Sequence, residues 1–386
     1  MRPQSCIVRD PLALVLRIMR VLSLAPVTIA RERGGYRIRV SKRYAYVGYT
    51  FILILNALHA VCVWFEINFN RIHYSEVRTQ LPLLSFVALS NILVVTIITL
   101  HASLFSLSKM NNLIEQVYYM DKIIPSTEKK EDVKKQKGLI ILIFTYKFVI
   151  DGINLYHSVF NMRYPDVIVY GLILSRFKYA LVRLVQIYIY VIYEEILSKI
   201  RTVRQELQDL ADLLEFEFEP SSAFTRSANA SLRMIGEKLD FLREIFTKMN
   251  QCNEYAVFFA YICILSWTIQ SAFDFVLYRP QDVPVVIFLD ILIVMHITFT
   301  MAVMIEPFRG INLEVQTIKL QVARMATTDY VTDSIPAPLD MLYDELSTMD
   351  MTFSPLGIFT MRRSLLIKTL GAAVTYLIIV VQFKVT

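Results

Sequence analysis

Long apolar segments constrain the fold of this chain more than any other feature of its sequence. A bilayer core is about 30 Å thick, and a helix needs about 20 mostly apolar residues to cross it. Seven segments meet this requirement, at residues 44–66, 81–105, 138–160, 166–193, 255–277, 282–306 and 365–383. The third and fourth also contain the charged residues Lys147, Asp151, Arg176, Lys178 and Arg183. The pattern predicts an all-α membrane protein with seven transmembrane helices.

Segments rich in Lys and Arg alternate along the chain with segments that contain few of these residues. The N-terminal segment, residues 1–43, contains ten, and the loops after the second, fourth and sixth spans contain seven, eight and five. The loops after the first, third and fifth spans contain two, one and one, and the C-terminal tail contains one. Because cytoplasmic segments carry the excess of Lys and Arg, the N-terminus is expected to be cytoplasmic and the C-terminus extracellular.

The long loops predicted to be cytoplasmic, residues 194–254 and 307–364, contain apolar stripes at helical spacing. One stripe follows the fourth span and predicts that its helix continues into the cytosol, and a second follows a break at Pro220. The stripes comprise Ile196, Ile200, Val203, Leu207, Leu210 and Leu214, then Leu232, Ile235, Leu239, Leu242, Ile245 and Met249, and then Ile311, Val315, Ile318, Val322 and Met325. Packing within one chain and contact with another subunit would both explain them.

The last predicted span carries a specific motif. Thr375-Tyr376 is followed by five apolar residues and then by Gln382-Phe383. This arrangement resembles the C-terminal signature of insect gustatory receptors, as do the chain length and the cytoplasmic N-terminus. The resemblance implies a tetrameric, ligand-gated, non-selective cation channel that shares its plan with insect odorant receptors. In that plan the seventh helix lines the pore, the cytoplasmic helices form an anchor, and the ligand binds in the outer half of the second to sixth helices.

Four positions of the last span are candidates for the pore and gate. Thr375, Ile379, Gln382 and Phe383 share one helix face, because residues three and four apart are neighbours. A ring of Phe383 side chains could close a pore by dewetting, and Gln382 amides could solvate a cation. The alternative is that this helix packs against its neighbours or lipid and that Gln382 extends to the interface.

Polar and aromatic residues in the outer halves of the spans are candidates for a ligand pocket. Ionisable groups inside a membrane are costly and often functional. The candidates are Asp151, Asn154, His157, Tyr170, Arg176, Trp267, Gln270 and Asp290. Pairing of Asp151 with Arg176, or of Asp290 with Lys178, would be a purely structural alternative. Aromatic groups suit ring-bearing tastants and polar groups suit sugars, so the ligand class stays open.

Composition and motifs disfavour an enzyme. With 55% apolar and 19% charged residues the chain is more apolar than soluble domains, and it has no Gly-rich loop, HExxH or GxSxG. We expect no metal or cofactor and no nucleic-acid partner. By resemblance, the partners are a small-molecule tastant, monovalent cations with calcium left open, and subunits of a homo- or heterotetramer in the plasma membrane of a chemosensory dendrite. A secondary transporter and a G-protein-coupled chemoreceptor are the alternatives.

Overall fold

A computed structural model describes residues 5–8, 10–22, 24–32, 35–73, 93, 96–97, 106–125, 130–160, 166–216, 222–277, 283–327 and 336–385 of the chain. Its helices in chain order are α1 (Asp10–Val21), α2 (Lys42–His73), α3 (Ser106–Ile123), α4 (Lys130–Phe160), α5 (Asp166–Phe216), α6 (Ser222–Leu277), α7 (Val283–Ala326), α8 (Pro336–Thr348) and α9 (Ser364–Val385). A 3₁₀ turn covers Pro355–Gly357. The predicted second span, residues 81–105, lies almost entirely outside the described residues.

Within the described residues, three helical segments are long and apolar enough to cross a membrane by length and composition. They are residues 42–65 of α2, 224–269 of α6 and 291–326 of α7, and a shorter apolar helix covers residues 364–375 of α9. The chain is therefore mostly helical, with several helices of the membrane-spanning type. The seven-span count and the sidedness of the termini stay predictions.

The helices α5 and α6 are much longer than a bilayer is thick. At 1.5 Å per residue, the 51 residues of α5 extend about 75 Å and the 56 residues of α6 about 85 Å. Both must therefore project well beyond a hydrocarbon core of about 30 Å. The predicted continuity of this helix is confirmed, since α5 runs unbroken from Asp166 to Phe216, and its position relative to the membrane stays a prediction.

The projecting parts pack together into what we call the anchor bundle, defined as residues 194–216, 222–254, 307–326 and 336–363. Every residue of the three apolar stripes is buried here within one chain. Leu339, Leu342 and Leu346 of α8 are buried as well, and α8 contacts both α6 and α7. Packing within the chain thus accounts for the stripes themselves.

Aromatic rings fill the end of the anchor bundle nearest the predicted spans. The fully buried Tyr193 has its ring centroid 4.3 Å from that of Phe308 and 5.9 Å from those of Phe246 and Phe353. Its hydroxyl donates a hydrogen bond to Asn250 Oδ1 at 2.8 Å. These contacts join α5, α6, α7 and the segment that precedes α9.

The N-terminal segment contains a small antiparallel sheet that the all-α prediction missed. Its strands are β1 (Ser5–Val8), β2 (Val27–Glu32) and β3 (Gly35–Val40), with β3 in the middle. Alternation in β3 explains the strand, because Ile38 is buried while Arg39 is exposed. The helix α1 buries one face against α5.

A tight turn leads from the anchor bundle into α9. Leu356 has a φ of 52° and Gly357 a φ of 69°. The Met361 amide donates to the Phe353 carbonyl at 3.0 Å and the Ser354 hydroxyl to the Phe359 carbonyl at 2.9 Å. Because a non-glycine residue at positive φ costs roughly 1 kcal/mol, the path of the chain here depends on the packing around it.

Candidate functional site

A group of polar side chains lies inside the bundle formed by α2, α4, α5, α6 and α7. We call it the interior polar cluster and define it as His59, Lys147, Asp151, Arg176, Lys178, Arg183, Gln186, Trp267 and His296. Each helix is held in place by apolar neighbours of the same core, which fixes the height and rotation of these side chains.

Asp151 links two cations from neighbouring helices. Lys147, one turn earlier on α4, donates hydrogen bonds to its carboxylate. Arg176 of α5 approaches the same carboxylate, with Nη1 3.7 Å from Oδ1. All three side chains are mostly buried, so the predicted Asp151–Arg176 pair is present and is shared with Lys147.

Lys178 of α5 is fully buried and has neutral partners. Its ammonium donates to His59 Nδ1 and to Thr96 Oγ1, each at 3.0 Å. Because an ammonium group only donates, Nδ1 of His59 acts as the acceptor in this contact. Lys178 therefore brings its charge into the bundle without a carboxylate bonded to it among the described residues.

Arg183 lies deeper on α5 and is 2% exposed. Its Nη1 donates to Gln186 Oε1 at 2.8 Å, and its guanidinium lies 4.8 Å from the ring centroid of Trp267. Arg183 Nε is buried and has no hydrogen-bond partner among the described residues. A planar guanidinium with a free edge can bind a planar acceptor in a defined orientation.

Aromatic side chains form one side of the cluster. The rings of Tyr179 and Trp267 meet edge to face with centroids 4.4 Å apart, and Trp267 is buried. On α7, His296 lies 5.2 Å from the Tyr146 ring and is 3% exposed. Neither ring nitrogen of His296 has a hydrogen-bond partner among the described residues.

Two of the predicted pocket residues, Asp151 and Arg176, meet in the cluster, and a third, Trp267, lies under the guanidinium of Arg183. Tyr170 is 63% exposed and makes no contact with the cluster that the structure describes. The remaining predicted residues lie on described helices, but their side chains fall outside the described part; they are Asn154, His157, Gln270 and Asp290. The suggested Asp290–Lys178 pair is therefore not described.

Several cluster residues were not predicted as pocket residues: His59, Arg183, Gln186 and His296. A signal was present, because each is a polar residue within a predicted apolar span. The helix rotations that bring them together follow from packing and are not visible in a hydropathy pattern.

The last helix has two distinct faces. Leu365, Thr369 and Ala373 are buried, and Thr369 Oγ1 lies 3.2 Å from the Tyr261 hydroxyl of α6. On other faces, Thr375, Ile379 and Gln382 are exposed, and the Thr375 hydroxyl donates to the Gly371 carbonyl of its own helix at 2.9 Å. The side chains of Tyr376 and Phe383 lie outside the described part.

Several helices of the membrane-spanning type around a closed polar cluster define a multi-pass membrane protein. In the described part of the chain, no group of three or more His, Cys, Asp or Glu side chains could hold a metal ion. A family model described as 7tm Chemosensory receptor matches residues 12–386, and the chain belongs to this family of receptors, which is not a family of enzymes. No curated protein matches the sequence. This match confirms the predicted membership in the insect chemosensory receptor family.

Proposed function

We propose that this chain is a gustatory receptor subunit that acts as a tetrameric, ligand-gated, non-selective cation channel in the plasma membrane. Each subunit contributes seven transmembrane helices, with the N-terminus inside and the C-terminus outside. A small molecule bound in the outer half of the second to sixth helices opens the pore lined by α9.

The observation that carries the proposal is the surface of α9. The helix buries the face of Leu365, Thr369 and Ala373 and leaves Thr375 and Gln382 of the C-terminal motif exposed. Gln382 is the informative residue, because the Thr375 hydroxyl is already bonded within its own helix and would tolerate lipid. An exposed amide near the outer end suits a surface that faces water and ions.

Exposed apolar side chains of the anchor bundle support assembly. Leu313 and Leu320 lie seven residues apart on α7, beyond the predicted sixth span, and Met341 and Ile358 lie on the segments that follow. All four are exposed in the single chain, although this region is expected in the cytosol. Contiguous exposed apolar surface is typical of protein contact surfaces, and the shared α7 face of Leu313 and Leu320 fits a contact with a second copy at this bundle.

The helix α6 offers a route from ligand to gate. Trp267 of the interior polar cluster and Tyr261, which bonds to Thr369 of α9, lie six residues apart on it. That separation is about 9 Å along a rigid helix. A displacement of α6 at Trp267 would therefore reach α9 directly.

Whole-cell currents and calcium entry test the channel. Cells that express the chain are exposed to a tastant panel, and Gln382→Ala and Phe383→Ala are compared with the native chain. We expect both substitutions to change current amplitude or reversal potential. Gln205→Ala removes an exposed anchor glutamine that bonds to Asp209, and it should leave the currents unchanged. Currents that are identical in all three variants would contradict the pore assignment.

An epitope tag on the C-terminus tests the topology independently. Antibody should label intact cells, because the proposal places this terminus outside. Labelling that requires permeabilisation would exclude the proposed orientation and would favour a G-protein-coupled chemoreceptor.

A further inference from the structure

The interior polar cluster contains more described cations than described anions. Lys147, Arg176, Lys178 and Arg183 bring four positive charges, whereas Asp151 is the only carboxylate that the structure describes among them. Asp151 is already shared between Lys147 and Arg176. The net positive charge of the described cluster therefore favours the binding of a further anion.

The two least exposed cations are the ones without a bonded carboxylate. Lys178 is 0% and Arg183 2% exposed, and the partners of Lys178 are a histidine nitrogen and a hydroxyl. A buried charge is stable when it is paired and hydrogen-bonded. An ionisable residue inside a membrane therefore usually has a partner of opposite charge and often belongs to a functional site. Both residues therefore favour the binding of a negative group.

Unused hydrogen-bonding atoms accompany this charge. Arg183 Nε, Gln186 Nε2 and both ring nitrogens of His296 are buried and have no partner among the described residues. Arg183 is bonded to Gln186, so the unused atoms of these two side chains belong to one neighbourhood. Buried polar atoms in proteins are nearly always satisfied. An oxygen-rich ligand would accept from Arg183 Nε and Gln186 Nε2.

An apolar surface lies beside the same guanidinium. Trp267 contacts Arg183 through its ring face and Tyr179 through an edge-to-face arrangement. A ligand with its charged end at Arg183 could therefore place an aromatic or aliphatic body against these rings. Pockets for small molecules usually combine such apolar walls with a few directional polar groups.

We propose that the ligand of this receptor is a small organic acid, whose carboxylate binds Arg183 and whose apolar body contacts Trp267. This inference rests on the proposed receptor function and assigns the ligand class that the sequence leaves open. A neutral sugar would satisfy the unused donors but leave the excess charge of the described cluster in place. Both oxygens of a carboxylate match the guanidinium edge.

Paired probes test the ligand class. The full chain, purified in neutral-lipid nanodiscs at pH 7.4, is heated with phenylacetate, benzoate, hexanoate or octanoate and with the corresponding amide of each. The acids should raise the midpoint of thermal unfolding by several degrees, and the amides should have little effect. Equal stabilisation by acid and amide, or no stabilisation by any acid, would overturn the proposal.

Substitutions locate the carboxylate. Arg183→Gln is expected to weaken the response to the acids by about 10- to 100-fold in half-maximal concentration, the loss typical of one charged hydrogen bond. Arg183→Lys keeps the charge without the planar fork and should retain part of the affinity. Arg243→Gln, at an exposed arginine of the anchor bundle, should change nothing. If Arg183→Gln does not fold, a native acid affinity in Arg183→Lys would overturn the assignment.

A further experiment tests whether Asp290, whose side chain lies outside the described part, neutralises the excess positive charge of the cluster. If Asp290 is the missing counter-charge, acids will stabilise Asp290→Asn and will not stabilise the native chain; that result would overturn the proposal. The channel and the ligand class can fail separately. Acids that stabilise the protein without evoking current would refute the channel alone, and currents evoked only by neutral compounds would refute the acid ligand alone.

Discussion

Phe353 lies in the anchor bundle, just before the turn that leads into α9, and its replacement by alanine tests the packing there. The side chain is 4% exposed, and its ring stacks on those of Phe308 and Tyr193 with centroids 5.0 and 5.9 Å apart. Truncation of a buried phenylalanine costs about 3–5 kcal/mol through lost transfer energy and the remaining cavity. We expect a loss of this size for Phe353→Ala.

Thermal unfolding in detergent micelles, followed by size-exclusion fluorescence, measures the loss. With an unfolding entropy of about 2.1 cal/mol/K per residue, 3–5 kcal/mol corresponds to a fall in the midpoint of roughly 4–6 °C for a cooperative chain of 386 residues. All variants are heated at the same rate, because irreversible unfolding makes the midpoint depend on the scan.

Two further variants separate the cavity from the ring contacts. Phe353→Leu keeps most of the volume and loses both ring pairs, which are worth about 0.5–1.5 kcal/mol each, so its midpoint should fall less. Tyr343→Ala removes a largely exposed aromatic residue of the same bundle and should cost less than about 0.5 kcal/mol. A midpoint for Phe353→Ala within one degree of that for Tyr343→Ala would refute the packing.

Two other substitutions test the anchor bundle and its link to α9. Thr369→Val removes the contact with the Tyr261 hydroxyl and should lower the free energy of unfolding by about 1 kcal/mol. It should also raise the ligand concentration needed for half-maximal current without changing the ligand affinity of the purified protein. Equal shifts in current and in affinity would contradict this prediction. Burial, and to a smaller extent the charge of Asp240, raises the pKa of Glu345 above its ordinary value of 4.5. The native state therefore binds a proton at this carboxylate more tightly than the unfolded state does. The native state consequently gains stability as the pH falls through the raised pKa. Thermal unfolding between pH 4 and 7 should show a smaller gain on acidification for Glu345→Gln than for the native chain, and an identical gain would contradict the shift.

The helices of the anchor bundle could be predicted because their sequence signal is local and periodic. The stripe from Ile196 to Leu214 repeats every three or four residues, and each of its members is buried. Charged residues between them exclude a further membrane span. Pattern and packing therefore give the same answer along α5.

The N-terminal sheet was missed for a different reason. Its cations, among them Arg37 and Arg39, were interpreted through their number, as topology signals, rather than through their spacing. Residues 36–40 alternate between apolar and charged side chains, which is typical of a strand with one buried face. Arg37 forms a salt bridge with Glu32 of the neighbouring strand at 2.8 Å, a contact that depends on strand register.

The candidate site was only partly predictable. Asp151 and Arg176 stood out because charges within spans are rare, and the structure brings them within 3.7 Å. Lys178, in contrast, was assigned a possible partner on α7, whereas its described partners include His59 of α2. Helix order along the chain does not determine which faces meet; side-chain volumes across the whole bundle do.

Two contacts of α6, six residues apart, would couple ligand binding to pore opening in the proposed channel. In one direction Trp267 touches the buried guanidinium of Arg183, and in the other Tyr261 contacts both Thr369 and the Phe359 ring, 4.5 Å away. Densely packed helices shift as units rather than bend locally. If a ligand binds beside Trp267 as proposed, a displacement of α6 would also change the environment of Thr369, and the response of the proposed channel should depend on α9 contacts that the ligand never touches.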